Sequence, residues 1–374
     1  MTDKELREIK RRFRPERSNI AKIVGCFVNE NKEIIYRINQ SIDFSESAVS
    51  EKLLATMKKT LSGSIGTNLT NIEFSTKQVL ESEEHKLLMK LRESRLSDSE
   101  ALESFYSRVI ESISLEGNYV ILLANDIYDV FDYGNDGEKG ESGEVFSYLV
   151  AAICPLKNLP EAIAFKESDS LFHTLGVSAV LASPEIGFMF PAFDDRKTNI
   201  YGALLYTKNL GESYPDFCQK ILAAEAKMPP KIQKSTFSSC LAEALSEECS
   251  YEVIRSVHTQ LEEIIEQHKE SKDPEPLTVT KATVKTLLEN CGASEEKIEK
   301  LESSLDESFG KNAELSPKNI ISLKKFELHT PDVKINVSPE HRDLVSTQVI
   351  GETKYVMIKV TGPVEVNGIT INLE

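Results

Sequence analysis

The chain has 374 residues, 40% hydrophobic and 28% charged, and 44 Lys and Arg against 60 Asp and Glu set its net charge at −16. A surface of that sign repels phosphate, which disfavours generic binding to nucleic acid or to an anionic membrane except where basic residues cluster. The length admits two or three hydrophobic cores, and the six scattered cysteines, none in a Cys-x-x-Cys pair, point to reduced thiols in the cytosol and away from a disulfide framework or a zinc site.

The charged first residues do not read as a signal peptide, and no apolar run approaches a bilayer span, so no membrane is expected. Lys4 to Phe13 reads as a short helix with Leu6, Ile9 and Phe13 on one side, stopped by Pro15. Lys10, Arg11, Arg12, Arg14 and Arg17 surround Phe13, and Met1 to Ile20 holds seven basic and four acidic residues, a local +3. Such an arm suits contact with phosphate or an acidic partner, or pairing with the chain's own carboxylates. Ile20–Val28 and Glu33–Ile38 alternate about an Asn29-Glu-Asn-Lys turn, as a hairpin does. A helix over Ser47–Leu61 then leads into Ser62-Gly-Ser-Ile-Gly-Thr-Asn68. Gly63 and Gly66 fit either a loop that clamps a nucleic-acid backbone or a helix C-cap with a loop behind it. No Gly-Lys-Ser/Thr follows to make a phosphate loop.

Lys77–Arg95 and Ser99–Ser114 read as two helices, and Asn118–Ala124 as a buried strand running into Asn125, Asp126, Asp129 and Asp132. The acidic, glycine-rich stretch Tyr133–Gly143 fails the calcium-loop spacing, since Gly134 falls where a ligand belongs, so a solvated hairpin loop is expected. Strands follow over Glu144–Pro155 and Glu161–Lys166, and the apolar neighbours of Cys154 mark it as packing and not as a nucleophile. Ile186–Phe190, bounded by Pro191, reads as another buried strand. It delivers Asp194, Asp195 and Arg196, and Thr198 or Asn199 is placed to cap a helix from Ile200. The three charges form a structural cap with an ion pair, or else a general base or metal ligands beside an arginine.

From Ser213 the period is helical, over Asp216–Lys227, Ile232–Leu245 and Tyr251–His268, the last with Val253, Ile254, Val257, Leu261, Ile264 and Ile265 in one stripe. His258 and His268 lie about 80° apart around that helix and about 15 Å along it, too far to share a metal, so solvated or salt-bridged histidines are expected. Lys269–Pro276 has a linker's composition. Lys281–Asn290 and Ser294–Phe309 form a helical hairpin on Gly292, and the acidic second helix suits packing and not DNA. From Ile320 to Glu374 the period is two. The favoured Asn367-Gly368 turn sets Val366 opposite Ile369 and Val364 opposite Ile371.

Six stretches together make the chain resemble a bacterial domain-of-unknown-function family, number 4317. They are Lys10-Arg-Arg-Phe-Arg-Pro-Glu-Arg17, Leu61-Ser-Gly-Ser-Ile-Gly66, Gly187-Phe-Met-Phe-Pro-Ala-Phe-Asp-Asp-Arg196, Leu205-Tyr-Thr-Lys208, Thr330-Pro-Asp-Val333 and Val364-Glu-Val-Asn-Gly-Ile369. That resemblance implies no activity and carries over no catalytic residue. The order of elements also resembles that of bacterial nucleoid-associated proteins. The expected class is α+β: an N-terminal α/β region with a mixed sheet over 1–212, a helical region over 213–312, and a small antiparallel β domain over 313–374. The expected function is a non-catalytic cytosolic binding or assembly protein, with the nucleoid as one setting. Its partner would be an unknown protein, with weak nucleic-acid contact through the arm and no cofactor, metal or membrane. The alternative is a hydrolase-like enzyme using Asp194 and Asp195.

Overall fold

The computed structural model describes residues 1–371 apart from 134–138, 160, 161, 167, 169, 176, 177, 272, 274–276, 312, 324, 325, 361 and 367. The centre of the acidic loop, Pro274–Pro276 of the expected linker and Asn367 of the final turn therefore lie outside the described residues. The chain forms two compact units, Met1–Pro229 and a second of Pro230–Asp273 with Leu277–Glu374.

The first unit runs α1 (Asp3–Lys10), β1 (Lys22–Val28), β2 (Ile34–Ser41), α2 (Ser47–Lys59), β3 (Leu69–Glu73), α3 (Thr76–Glu81), α4 (Glu83–Glu93) and α5 (Ser99–Ser112). Strands then predominate: β4 (Tyr119–Tyr133), β5 (Lys139–Leu159), β6 (Ala162–Lys166), β7 (Leu171–Leu175), β8 (Ser178–Leu181), β9 (Ile186–Phe190), β10 (Ala192–Asp194), β11 (Lys197–Asn199) and β12 (Gly202–Thr207), before α6 (Pro215–Leu222). The main sheet is ordered β2-β1-β4-β5-β9-β12-β3, with β8 pairing on β5. Its ladders are all antiparallel, whereas a mixed sheet was expected.

Helices cover both faces. Along β4, Tyr119, Ile121 and Leu123 join a core with Leu88, Leu91, Phe105, Val109, Phe217 and Ile221 of α4, α5 and α6. Val120, Leu122 and Ala124 point the other way, to Leu6, Ile9, Phe13, Leu54 and Met57 of α1, the arm after it and α2. A strand buried on both faces reads as a continuous apolar run, which is why β9 is apolar throughout and fully buried. Gly187 within it is required by contact: a Cβ there would stand 2.3 Å from the Ala151 carbonyl oxygen and 2.7 Å from Thr60 Cγ2. Because α6 packs on α4 and α5, the first unit extends past residue 212.

Three local expectations are corrected. β4 does not stop at Ala124 but continues to Tyr133, because Asp126 and Asn125 find partners inside the fold. The helix expected over Lys77–Arg95 is broken at Ser82, which is extended and whose hydroxyl accepts the His85 N–H as the cap of α4. No helix starts at Ile200. Asp195 and Arg196 have φ of 49° and 56° and close the β10–β11 hairpin, and β12 follows at once.

The second unit holds α7 (Pro230–Leu245), α8 (Tyr251–Ser271), α9 (Lys281–Asn290), α10 (Glu295–Phe309) and α11 (Pro317–Ile320). Their core joins Phe237, Leu241, Val257, Leu261, Leu287, Leu288, Ile298 and Leu301. The α9–α10 pair is the expected packing hairpin, with Gly292 at φ 75° and Ile298, Leu301 and Leu305 turned inward. The strands that follow make separate two-stranded hairpins: β13 (Phe326–His329) with β14 (Lys334–Val337), β15 (Val345–Ile350) with β16 (Thr353–Ile358), and β17 (Val364–Val366) with β18 (Ile369–Ile371). The last has the expected register, Val366 opposite Ile369 and Val364 opposite Ile371.

Candidate functional site

The two charged clusters singled out in the sequence, the N-terminal arm and Asp194–Arg196, meet in one network. Its centre is the turn between β10 and β11. A two-residue hairpin turn with both central residues at positive φ matches the twist of its strands, and Asp tolerates that conformation better than most residues. Across it Asp194 pairs in register with Lys197, and Asn199 Nδ2 donates to Asp194 Oδ2 at 3.1 Å.

α1 lies against this turn. Its start is fixed by a capping box between Thr2 and Glu5. The same Glu5 accepts the Arg196 N–H at 3.3 Å. Glu8, one turn on, pairs with the Arg196 guanidinium at 3.1 Å and accepts the Tyr128 hydroxyl at 2.6 Å. Arg196 also donates to the Phe131 carbonyl at 2.9 Å, and the Met1 ammonium stands 3.4 Å from Asp194 Oδ1. Beyond α1, Arg12 lies over the Tyr128 ring and its Nε reaches Asp126 Oδ2 at 3.2 Å.

Asp126 is 1% exposed. A charge so deep is costly unless paired and hydrogen-bonded. Besides Arg12 it accepts the Tyr148 hydroxyl at 2.8 Å and the Asn19 N–H at 2.8 Å. Burial first, then the Asp126 charge, holds the Tyr148 phenol well above its usual pKa, so it stays a donor. Phe13 is buried and pins the arm between these contacts.

The remaining sequence candidates divide. Lys10 is half-buried, and burial first, with Lys58 and Arg7 adding to it and Asp3 opposing it, lowers its amine below the usual value. Arg11, Arg14 and Arg17 face solvent. Asp195 is exposed at the turn while Asp194 is half-exposed beside the Met1 ammonium. The Gly63–Gly66 loop closes on itself: the N–H groups of Gly66, Thr67 and Leu69 go to the carbonyls of Leu69, Ser64 and Ser64. The Asn68 side chain fills the space beside Gly63, and its amide donates to Thr207.

A second cluster escaped sequence reasoning. Arg342, 5% exposed, donates to Thr259 at 3.2 Å and to Glu262, and stands over the Phe326 ring. The Tyr251 hydroxyl donates to the Arg342 carbonyl at 2.9 Å. His258 meets the edge of Phe326 and is only partly exposed, its Nδ1 buried without a hydrogen-bond partner, whereas a solvated or salt-bridged histidine was expected. Burial, then Arg342 and Lys234, push its pKa down to about 4. The i, i+4 spacing of His258 and Glu262 was visible, but nothing in the sequence links them to a residue eighty positions on.

Burial pushes the thiols of Cys26 and Cys154 up to about 12 and that of Cys218 to about 11, which suits packing and not nucleophilic attack. Among the described residues no group of three or more His, Cys, Asp or Glu side chains could hold a metal, and no helix is long and apolar enough to cross a membrane.

A family model described as a domain of unknown function (DUF4317) matches residues 1–369. No curated protein matches, and no solved structure matches. The likeness to nucleoid-associated proteins therefore finds no support.

Proposed function

The chain belongs to the DUF4317 family, and from that premise we propose that it is a non-catalytic, cytosolic binding or assembly protein whose partner-binding element is the β15–β16 hairpin. One observation carries this reading. Of the hairpin's two strands, Val345 alone is buried, and Val349, Ile350, Tyr355, Val356, Met357 and Ile358 all face solvent. The register sets Val345 opposite Ile358, Thr347 opposite Val356 and Val349 opposite Lys354. Val349, Val356 and Ile358 therefore share one face and Ile350, Tyr355 and Met357 the other, and each face presents exposed apolar surface. An isolated two-stranded hairpin is at best marginally stable in water, and exposed apolar patches mark interaction sites.

The chemistry of the surface selects the partner. Glu352 and Lys354 are the hairpin's charges and cancel, so it offers nothing to phosphate and suits an apolar strand or sheet edge of another protein. The enzyme reading has less behind it. Asp194 and Arg196 are engaged by Met1, Glu5, Glu8 and Phe131, and a capped, ion-paired turn needs no substrate to be useful.

The test is affinity purification of the full chain from its native cell, with and without nuclease, beside the variant Val356→Asp/Ile358→Asp. Hydrogen exchange on the purified complex reports on β15 and β16. A nuclease-resistant protein partner that protects the hairpin amides and is lost with the variant is the expected outcome. Partners released by nuclease, or retained by the variant, would sink the proposal.

A further inference from the structure

The main sheet ends at β2, whose hydrogen-bonded neighbour among the described residues is β1 alone. We infer that this free edge is a homodimerisation surface, on which β2 pairs antiparallel with β2 of a second copy of the chain. This inference is independent of the β15–β16 proposal and rests on a different unit.

The ladder shows which backbone groups are available. Ile42 donates its N–H to Ala21 in the β1–β2 register, so Gln40, Ile38 and Tyr36 direct their backbone groups at β1. Arg37 and Asn39 therefore direct theirs outward. A bulge at Ile35, where Phe27 pairs with Tyr36 and Val28 with Ile34, limits regular pairing to Tyr36–Ser41. Nothing within that stretch blocks an incoming strand: it holds no proline and no lysine, the residues that usually guard an edge.

Charge identifies the occupant. Two copies of a −16 chain repel each other, so a self-contact needs a neutral strip. Arg37 is the one charged residue of β2, and Glu103 neutralises it through two bonds at 2.6 and 2.5 Å. A two-fold axis through Ile38 sets each Arg37 opposite Asn39 of the other copy. That register forms four N–H···O=C bonds and brings no like charges face to face. The flanking apolar side chains supply area that backbone pairing lacks: Tyr36 is 67% exposed and Phe44, three residues past the strand, is 94% exposed.

The experiment is light scattering and sedimentation of the full chain over a concentration series at low and moderate salt. Hydrogen exchange is followed at Arg37 and Asn39. The expected species is a dimer that tightens as salt screens the overall repulsion. Asn39→Pro removes an outward N–H that β1 does not use, so it should weaken the dimer at least tenfold at unchanged melting temperature. Asn39→Lys, which sets Lys against Arg37 of the other copy, should do the same should the proline variant unfold. Val356→Asp/Ile358→Asp should remain dimeric, which separates this surface from the hairpin. A wild-type monomer at every concentration, or a dimer indifferent to both Asn39 variants, would overturn the inference.

Discussion

Asp126→Ala is the perturbation that most directly asks whether the arm belongs to the fold. The truncation removes the acceptor of three groups at once: Arg12 Nε at 3.2 Å, the Tyr148 hydroxyl at 2.8 Å and the Asn19 N–H at 2.8 Å. Tyr148 is fully buried, so its hydroxyl cannot recover the bond from bulk water. Breaking one side of a buried ion pair costs about 3–5 kcal/mol, and a stranded neutral donor about 1–3 kcal/mol, with partial overlap between them. A loss of about 4 kcal/mol is the working value, a large fraction of the roughly 5–15 kcal/mol that holds a domain folded. At about 2–4 °C per kcal/mol for a domain of this size, the melting temperature should fall by roughly 8–16 °C. Far-UV circular dichroism is the readout, since the chain has no tryptophan. The double variant Arg12→Met/Asp126→Leu removes both charges together and should recover the part of the loss due to the stranded Arg12 charge, while the Tyr148 hydroxyl and the Asn19 N–H still lack their acceptor. A loss below about 1 kcal/mol for Asp126→Ala, or strict additivity of Arg12→Met and Asp126→Leu, would show that the arm is not anchored by this pair.

In the second unit, His258 binds fewer protons folded than unfolded between its depressed pKa of about 4 and the ordinary 6.5. Its contribution is therefore fully present above pH 6.5 and is lost as pH falls from 6.5 towards 4, by roughly 3 kcal/mol in all. Urea titrations over that range should show this loss in the wild type and not in His258→Gln, which leaves Arg342 and Lys234 in place; a wild-type profile as flat as the variant's would refute the assignment. At the β10–β11 turn, Asp195→Asn should change stability by less than about 0.5 kcal/mol, since Asn also tolerates positive φ at this exposed position. Arg196→Ala should cost about 1–3 kcal/mol through the lost Glu8 and Phe131 contacts, measured by the same denaturation. Equal effects of the two substitutions would contradict the turn geometry.

The parts legible in the sequence were those set by local periodicity. The α8 stripe, the α9–α10 hairpin on Gly292 and the β17–β18 register follow from spacing within a few residues, and each is where spacing puts it. The misplaced parts were decided by distant partners. Asn125 and Asp126 look like a loop after an apolar strand, yet β4 carries them onward because Tyr148 and Arg12 satisfy them. Thr198 and Asn199 look like helix caps, but Thr198 donates its N–H to Glu144 and Asn199 bonds Asp194 across a hairpin. The period of two over Ile320–Glu374 likewise told of strands there without telling that apolar residues of β15 and β16 would remain uncovered.

The joining of the two charged clusters has a physical cause that composition alone does not reveal. An acidic chain must place many carboxylates, and among those between α1 and the sheet Glu5 of α1 and Asp126 of β4 are too buried to be left to water, with Glu8 of α1 partly buried beside them. Cations have to come from within, and the arm supplies them: Arg12 on Asp126, with Arg196 on Glu8 from the opposite side. What distinguishes an internal cation from one held out for a partner is the apolar residue beside it. Phe13 is driven into the core next to Leu6 and Ile9, and it takes Arg12 with it, while Arg11, Arg14 and Arg17 on the other side of the same turn stay in solvent. A basic run of five, all but Lys10 lying in the turns after α1, thus splits by burial into a part that folds the protein and a part that remains on its surface.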